Sequence, residues 1–145
     1  MTPDEIFRYC SSFALIGWLL LIIASPFWKK VDSIIIGVII VLFAIVYTWL
    51  ILTGFHIDDI QKFNSLEGVM NLFTNPLTVT AGWIHYLAFD LMTGVWIKNN
   101  SLKHGISHLL VVPCLLLTFM FGPVGLLLYL LMRWIKTKNY FAQNY

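Results

Sequence analysis

Two ionisable side chains, His85 and Asp90, lie inside the apolar run WIHYLAFDLMTG at residues 83–94. A carboxylate in the middle of a bilayer costs at least about 2.5 kcal/mol. Asp90 must therefore be protonated, paired with another group or bound to a cation. A protonated acid beside a base is suited to proton transfer, whereas an Asp that only bonds a neighbouring helix is structural.

The spacing of these two residues separates them on a helix. A step of five residues is a rotation of about 140° and a rise of about 7.5 Å, so His85 and Asp90 do not bond each other along one helix. Tyr86 lies one turn from Asp90 on the same face and is its candidate partner. His85 and Asp90 either border one cavity, which we expect, or each meets a different neighbour. Glu67 either extends its carboxylate into that cavity or faces headgroup water.

A second group of candidate residues is suited to binding a metal. His104 and His108 are four residues apart, which places both imidazoles on one helical face. With His85, and with Asp90 or Glu67, they would form an iron or zinc site. The alternatives are a loop histidine exposed to solvent and a neutral imidazole bonded to a carbonyl oxygen.

The composition identifies the medium in which these residues act. The chain has 145 residues, of which 59% are hydrophobic and 11% charged, with a mean hydropathy of +0.83. This predicts an integral membrane protein with the lipid bilayer as its partner. The net charge of +2, with no basic run, argues against nucleic acid. Cys10 and Cys114 lack CxxC spacing, so no disulfide framework or thiolate metal site is indicated.

Helix signals predict an all-α fold, a four-helix transmembrane bundle forming a single domain over residues 1–145. Thr2 as N-cap, Pro3 at the first position and acidic residues in the first turn predict a helix from about Pro3 to Ala24. The 21 uncharged residues from Ile34 to Gly54 suffice to cross a bilayer. The predicted spans are residues 6–24, 34–54, 77–97 and 108–135, with an interfacial helix at 60–74 and a polar loop after 97.

The predicted fourth span is longer than a bilayer requires. At 1.5 Å per residue it measures about 45 Å, so it must tilt, kink or begin outside the hydrocarbon. Pro113 and Gly122-Pro123 are the two kink points, and a full break at the latter would make a re-entrant hairpin. Four crossings place both termini on one side, with five Lys and Arg residues there against four on the other, which does not define orientation.

Two segments, GWIHYLAFDLMTGVWI (82–97) and HLLVVPCLLLTFMFGPVGLLLYLL (108–131), resemble the neoxanthin-synthase-like family of small membrane proteins named for abscisic-acid deficiency. The matching positions are Trp83, His85, Asp90, His108, Pro113, Cys114, Gly122 and Pro123. The resemblance implies conversion of the epoxy-carotenoid violaxanthin to allenic neoxanthin. Because the chain does not carry the long N-terminal extension of plant members, we expect a bacterial member in the inner membrane.

Three functional hypotheses follow. The leading one is an isomerase of a carotenoid or other isoprenoid, with Asp90 as acid, His85 or Glu67 as base and no required cofactor. The second is a metal-dependent enzyme with Fe or Zn on His85, His104 and His108. The third is a non-enzymatic lipid or pigment binder or a proton-coupled transporter. A homo-oligomer is compatible with each. The predicted substrate contacts are Trp83, Tyr86, Thr93, Phe119 and Phe121.

Overall fold

The computed structural model describes residues 1–141, and this part of the chain is helical with no β-strand, which confirms the all-α prediction. π-helical turns at Leu20–Ala24 extend α1, and similar turns at Ile35–Ile40 join α2 to α3. A 3-10 helix occupies Ile57–Asn64. The α-helices are α1 Pro3–Leu19, α2 Val31–Ile34, α3 Val41–Gly54, α4 Leu66–Leu72, α5 Pro76–Lys103, α6 His108–Phe121 and α7 Pro123–Thr137.

Local capping groups determine where the long helices begin. The Thr2 hydroxyl accepts from the Glu5 amide at 3.3 Å, and the Glu5 carboxylate accepts from the Thr2 amide at 2.8 Å. This reciprocal pair satisfies amide groups that a helix leaves free at its N-terminus, as the sequence predicts. At α5 the Asn75 side-chain oxygen accepts from the Leu77 amide at 2.9 Å, with Pro76 at the first helical position.

Within residues 1–141, two continuous helical stretches are long and apolar enough to cross a membrane: Pro3–Ala24, with 22 residues, and Val31–Gly54, with 24. They coincide with the first two predicted spans, the second beginning three residues before Ile34, and are compatible with association with lipid. Helix α5 has 28 residues and continues past the predicted end at Ile97 to Lys103. Four crossings therefore stay a prediction.

The fourth span predicted at 108–135 is not one continuous helix, because the chain breaks at Gly122, where the sequence leaves a kink or a full break open. This glycine has φ 48° and ψ −97°, a conformation that other residues rarely adopt, and Pro123 then begins α7. Helices α6 and α7 have 14 and 15 residues, about 21 and 22 Å each, less than the roughly 30 Å of a hydrocarbon core.

The two helices fold back on each other as an antiparallel hairpin. The Lys136 ammonium near the end of α7 donates to the carbonyl oxygen of Gly105, just before α6. Near the tip, α7 approaches α6 so closely that a Cβ added at Gly125 would lie 2.2 Å from the Thr118 amide nitrogen. The alternative of a full break at Gly122-Pro123 is therefore the one observed, and α6 and α7 form a helical hairpin.

The predicted interfacial helix at 60–74 is also divided. Ser65 is extended, with φ −143° and ψ 151°, and its hydroxyl caps α4 by accepting from the Gly68 amide at 3.1 Å. The 3-10 helix before Ser65 and the short α4 after it replace the single helix expected from the apolar spacing. The bond between the Ser65 hydroxyl and the backbone favours a new helix start at this residue over continuation of one helix.

Helix α5 packs against α1, α3 and α6 and so determines the position of its own polar side chains. Glycines allow its close approach to α1. A Cβ added at Gly94 would lie 2.7 Å from the ring of Trp18, and one at Gly17 would lie 2.7 Å from Leu91. Trp18 and Leu91 are themselves fully buried.

Candidate functional site

Asp90 lies at the middle of α5 and faces the tip of the α6–α7 hairpin. A Cβ added at Gly122 would lie 2.8 Å from its Oδ1 atom and 3.2 Å from its Oδ2 atom. Only a glycine leaves room for the carboxyl group at this point. The Oδ2 atom is buried and has no hydrogen-bond partner among the described residues. An unsatisfied polar atom of this kind is costly and marks a candidate functional group.

Tyr86 connects Asp90 to the hairpin. Its hydroxyl donates to the carbonyl oxygen of Phe119 at 3.3 Å and also interacts with the Asp90 carboxyl group. Because Phe119 belongs to the last turn of α6, this contact orients the end of α6 against the middle of α5. The sequence-based choice of Tyr86 as the partner of Asp90 agrees with this arrangement.

Aromatic rings extend from Tyr86 towards α1. The ring of Trp83 lies 5.4 Å from that of Tyr86 and 5.2 Å from that of Phe7, and its Nε1 donates to the Ser11 hydroxyl at 2.9 Å. Phe119 packs against Trp18 with ring centroids 5.5 Å apart. Phe121, next to Gly122, is 59% exposed. The structure thus gathers four of the five predicted substrate contacts around the hairpin tip: Trp83, Tyr86, Phe119 and Phe121.

The fifth predicted contact, Thr93, lies one turn after Asp90 and borders a groove between α5 and α7. Its hydroxyl donates to the carbonyl oxygen of Phe89 at 2.8 Å, so its methyl group and stem contribute an apolar surface. The groove has a volume of about 610 Å³ and is apolar except at one end, where Arg133 lies. Its remaining lining residues are Phe89, Met92, Trp96, Leu126, Leu130, Tyr140 and Phe141.

His85 faces a different groove, between α3 and α5, with a volume of about 240 Å³. Its ring lies 4.5 Å from that of Phe89 and 5.7 Å from that of Tyr47. The predicted separation of His85 and Asp90 around the helix is confirmed. The expectation that both border one cavity is not, because α3 covers the His85 side of α5 while the hairpin covers the Asp90 side. Among the described residues, Phe89 and Met92 alone border both grooves.

The structure does not bring the other predicted ligands and bases to Asp90. His108 Nε2 lies 2.8 Å from the carbonyl oxygen of Ile22, which matches the alternative of an imidazole bonded to backbone. His104 lies in the turn after α5, where burial, together with the positive charges of Arg133 and Lys103, lowers its pKa. Glu67 is exposed in the first turn of α4. Within residues 1–141 no three His, Cys, Asp or Glu side chains converge as a metal site.

The structure contains a polar cluster at the end of α5 that the sequence does not predict, because the sequence indicates a loop after residue 97. Lys98 and Asn100 are instead helical and buried. Lys98 forms an ion pair of 2.7 Å with Asp32. The Asn100 side-chain oxygen accepts from the Tyr129 hydroxyl at 2.6 Å and from Arg133 at 3.1 Å. The four-residue spacing of Tyr129 and Arg133, which places both on one face of α7, was the available signal.

Comparison with known families gives one match. The sequence profile of the ABA DEFICIENT 4-like family covers residues 5–129. The chain belongs to this family. No curated protein and no solved structure shows significant similarity to this chain. The matched range runs from the first turn of α1 into the middle of α7, so it includes both Asp90 and the hairpin tip.

Membership in the ABA DEFICIENT 4-like family confirms the resemblance seen in the sequence. The matching positions lie in different parts of the structure. Asp90 lies against Gly122 at the hairpin tip, and Trp83 lies beside Tyr86, which interacts with Asp90. His85 faces α3, and His108 contacts the end of the first helix. The positions that carry the resemblance therefore lie both at the tip and in the packing around it.

Proposed function

We propose that the protein is an intramembrane isomerase that acts on a carotenoid or a related isoprenoid, with Asp90 as the proton donor. The observation that carries this proposal is the buried and unpartnered Oδ2 atom of Asp90 beside Gly122. In an apolar site a carboxyl group is held in its neutral form, because charge is costly there. Membership in the ABA DEFICIENT 4-like family supports a carotenoid-related substrate.

The proposed reaction is the opening of an epoxide without net oxidation or reduction. The Asp90 hydroxyl donates its proton to the epoxide oxygen as one carbon–oxygen bond breaks. The resulting carboxylate then removes a proton from the adjacent carbon, and the electron pair of that C–H bond forms the new double bond. Asp90 returns to its protonated state, so one residue acts as acid and then as base. Tyr86 positions the carboxyl group from one turn away.

In this mechanism Asp90 acts without His85 or Glu67, the two residues that the sequence offers as the base. His85 lines the groove on the other side of α5, and Glu67 is exposed in α4. We propose that the polyene chain of the substrate lies in the apolar groove beside Thr93, with its oxygenated ring at Asp90. The membrane is proposed to be a bacterial inner membrane, following the resemblance to bacterial members of the family.

The test is turnover of an epoxy-carotenoid by protein reconstituted in lipid vesicles, followed by absorbance and chromatography of the pigment. Asp90→Asn preserves the shape of the side chain and removes its acidic proton, and we expect turnover to fall by about 10²-fold or more. Asp59→Asn, which changes an acidic residue of the 3-10 helix, is the matched control. We expect His85→Gln to retain most of the activity.

Equal turnover by the wild type and Asp90→Asn would remove Asp90 from the mechanism. A pigment that co-purifies with the protein and is never converted would favour the binding protein over the enzyme. We propose no metal-dependent reaction, because the predicted ligands His85, His104 and His108 do not converge within residues 1–141.

A further inference from the structure

The two ends of the helical bundle carry opposite charge. Seven of the nine Lys and Arg residues lie at the end where α5 finishes and the hairpin begins and ends. The opposite end has only Arg8 and Lys62. The seven basic residues are Lys29, Lys30, Lys98, Lys103, Arg133, Lys136 and Lys138.

Side-chain contacts define this basic end. The ion pair between Lys98 and Asp32 joins the end of α5 to the start of α2. The contact of His108 with the Ile22 carbonyl joins the start of α6 to the end of the first helix. Because the hairpin reverses at Gly122, α7 returns to the same end. This brings Arg133 and Lys136 of α7, and Lys138 just after it, to the end that holds the other four basic residues.

Acidic residues have the opposite distribution. Among the described residues, Asp32 is the one acidic residue at the basic end, and it forms an ion pair with Lys98. Asp90 lies between the ends. The other five acidic residues, at the opposite end, are Asp4, Glu5, Asp58, Asp59 and Glu67. A continuous fourth span would divide the basic residues almost equally, so the asymmetry depends on the hairpin.

We propose that the basic end is the cytoplasmic surface of the protein and that its partner there is the anionic lipid of the cytoplasmic leaflet. Lys and Arg near the ends of membrane helices favour the cytoplasmic side, and anionic headgroups attract them. The hairpin enters the bilayer from the cytoplasm. The N-terminus and residues 55–75 lie on the other side, opposite the end of α7. This inference rests on the membrane location in the proposed function but not on the isomerase reaction.

The experiment labels single cysteines with a membrane-impermeant maleimide, before and after permeabilisation of bacterial spheroplasts. The native Cys10 and Cys114 are buried, so wild-type protein supplies the background signal. Gln61→Cys tests the acidic end, and Ser33→Cys and Asn139→Cys test the basic end; all three positions are exposed. We expect Gln61→Cys to react in intact spheroplasts and the other two variants to react only after permeabilisation.

Two results would overturn the proposal. Reaction of Gln61→Cys and Asn139→Cys from the same side would restore an even number of crossings. Reaction of Asn139→Cys in intact spheroplasts, with Gln61→Cys protected, would reverse the orientation. Neither result depends on pigment turnover, so failure here is distinct from failure of the isomerase assay.

A charge variant tests the cause of the orientation. In Asn139→Cys protein, replacing Lys29, Lys30, Lys136 and Lys138 by Gln is expected to produce a mixed population, part of it labelled in intact spheroplasts. Replacing Arg8 and Lys62 by Gln is the control and is expected to leave labelling unchanged. Unchanged labelling in both variants would show that the basic residues do not direct insertion.

Discussion

The carboxyl group of Asp90 occupies the space that a side chain at position 122 would need. A Cβ at Gly122 would lie 2.8 Å from Oδ1, and the backbone at this position has a positive φ of 48°. One glycine thus allows both the reversal of the chain and the approach of the acid. The tip of the hairpin and the candidate site are consequently a single structural feature.

We expect Gly122→Ala to destabilise the protein by about 1–3 kcal/mol, because it combines a strained backbone with a clash against Asp90. The measurement is thermal unfolding in detergent, followed by circular dichroism. Gly37→Ala is the matched control, because a Cβ at Gly37 meets no atom within 4 Å. An equal effect of the two substitutions would contradict the described tip.

Gly94→Ala is expected to separate α1 from α5. The added methyl group would lie 2.7 Å from the ring of Trp18 and 2.8 Å from Leu21, and both are fully buried. Overpacking of this kind costs about 1–3 kcal/mol. The same unfolding measurement applies, and Trp18→Phe in the Gly94→Ala background should recover part of the loss. No recovery would mean that the two helices are not packed through this contact.

Lys98→Met is expected to destabilise the protein by about 3 kcal/mol, because it leaves the partly buried Asp32 carboxylate without its cation. Adding Asp32→Asn should restore much of the stability, since the remaining side chain is then neutral. A double-mutant cycle on unfolding free energies measures the coupling. The exposed Lys30→Met is the control. Additive effects of Lys98→Met and Asp32→Asn would argue against the ion pair.

Stability is expected to fall as the pH drops below about 6.5, the ordinary pKa of histidine. The pKa of His104 is lowered in the folded protein, mainly by burial and also by Arg133 and Lys103. The unfolded chain therefore takes up the proton at a higher pH than the folded one, and acid favours unfolding until the folded pKa is reached. The measurement compares unfolding at about pH 7.5 and about pH 5.5. His104→Gln should reduce the difference, and an unchanged difference would assign it to other groups.

Local sequence signals predict the beginnings of helices well in this chain. The Thr2 cap and the Asn75-Pro76 start act within a few residues, so a pattern that is read locally contains the cause. The break at Gly122 is different. Glycine and proline allow either a kink or a reversal there, and the choice depends on how α7 packs against α6 and α5. The contacts between α7 and α5 join residues that are distant in sequence, so they leave no local signal.

In the candidate site, too, local geometry is predictable from the sequence and long-range packing is not. The angle between His85 and Asp90 follows from helical geometry, and the structure agrees with it. Which neighbour covers each side chain does not follow, because hydropathy alone does not say which helices flank α5. The sequence predicts a loop at Lys98 because nothing local indicates a partner for its charge. That partner, Asp32, lies 66 residues earlier in the chain.

The hairpin ends at the level of Asp90, whereas α5 continues for 14 more residues towards Pro76. On that side of the tip, Val79 and Trp83 on α5 and Phe121 on α6 remain open, being 40%, 36% and 59% exposed. In a bilayer, acyl chains of the far leaflet fill this step. Under the proposed membrane location, we therefore expect an apolar substrate to reach the hairpin tip by lateral diffusion within that leaflet, without passing through water.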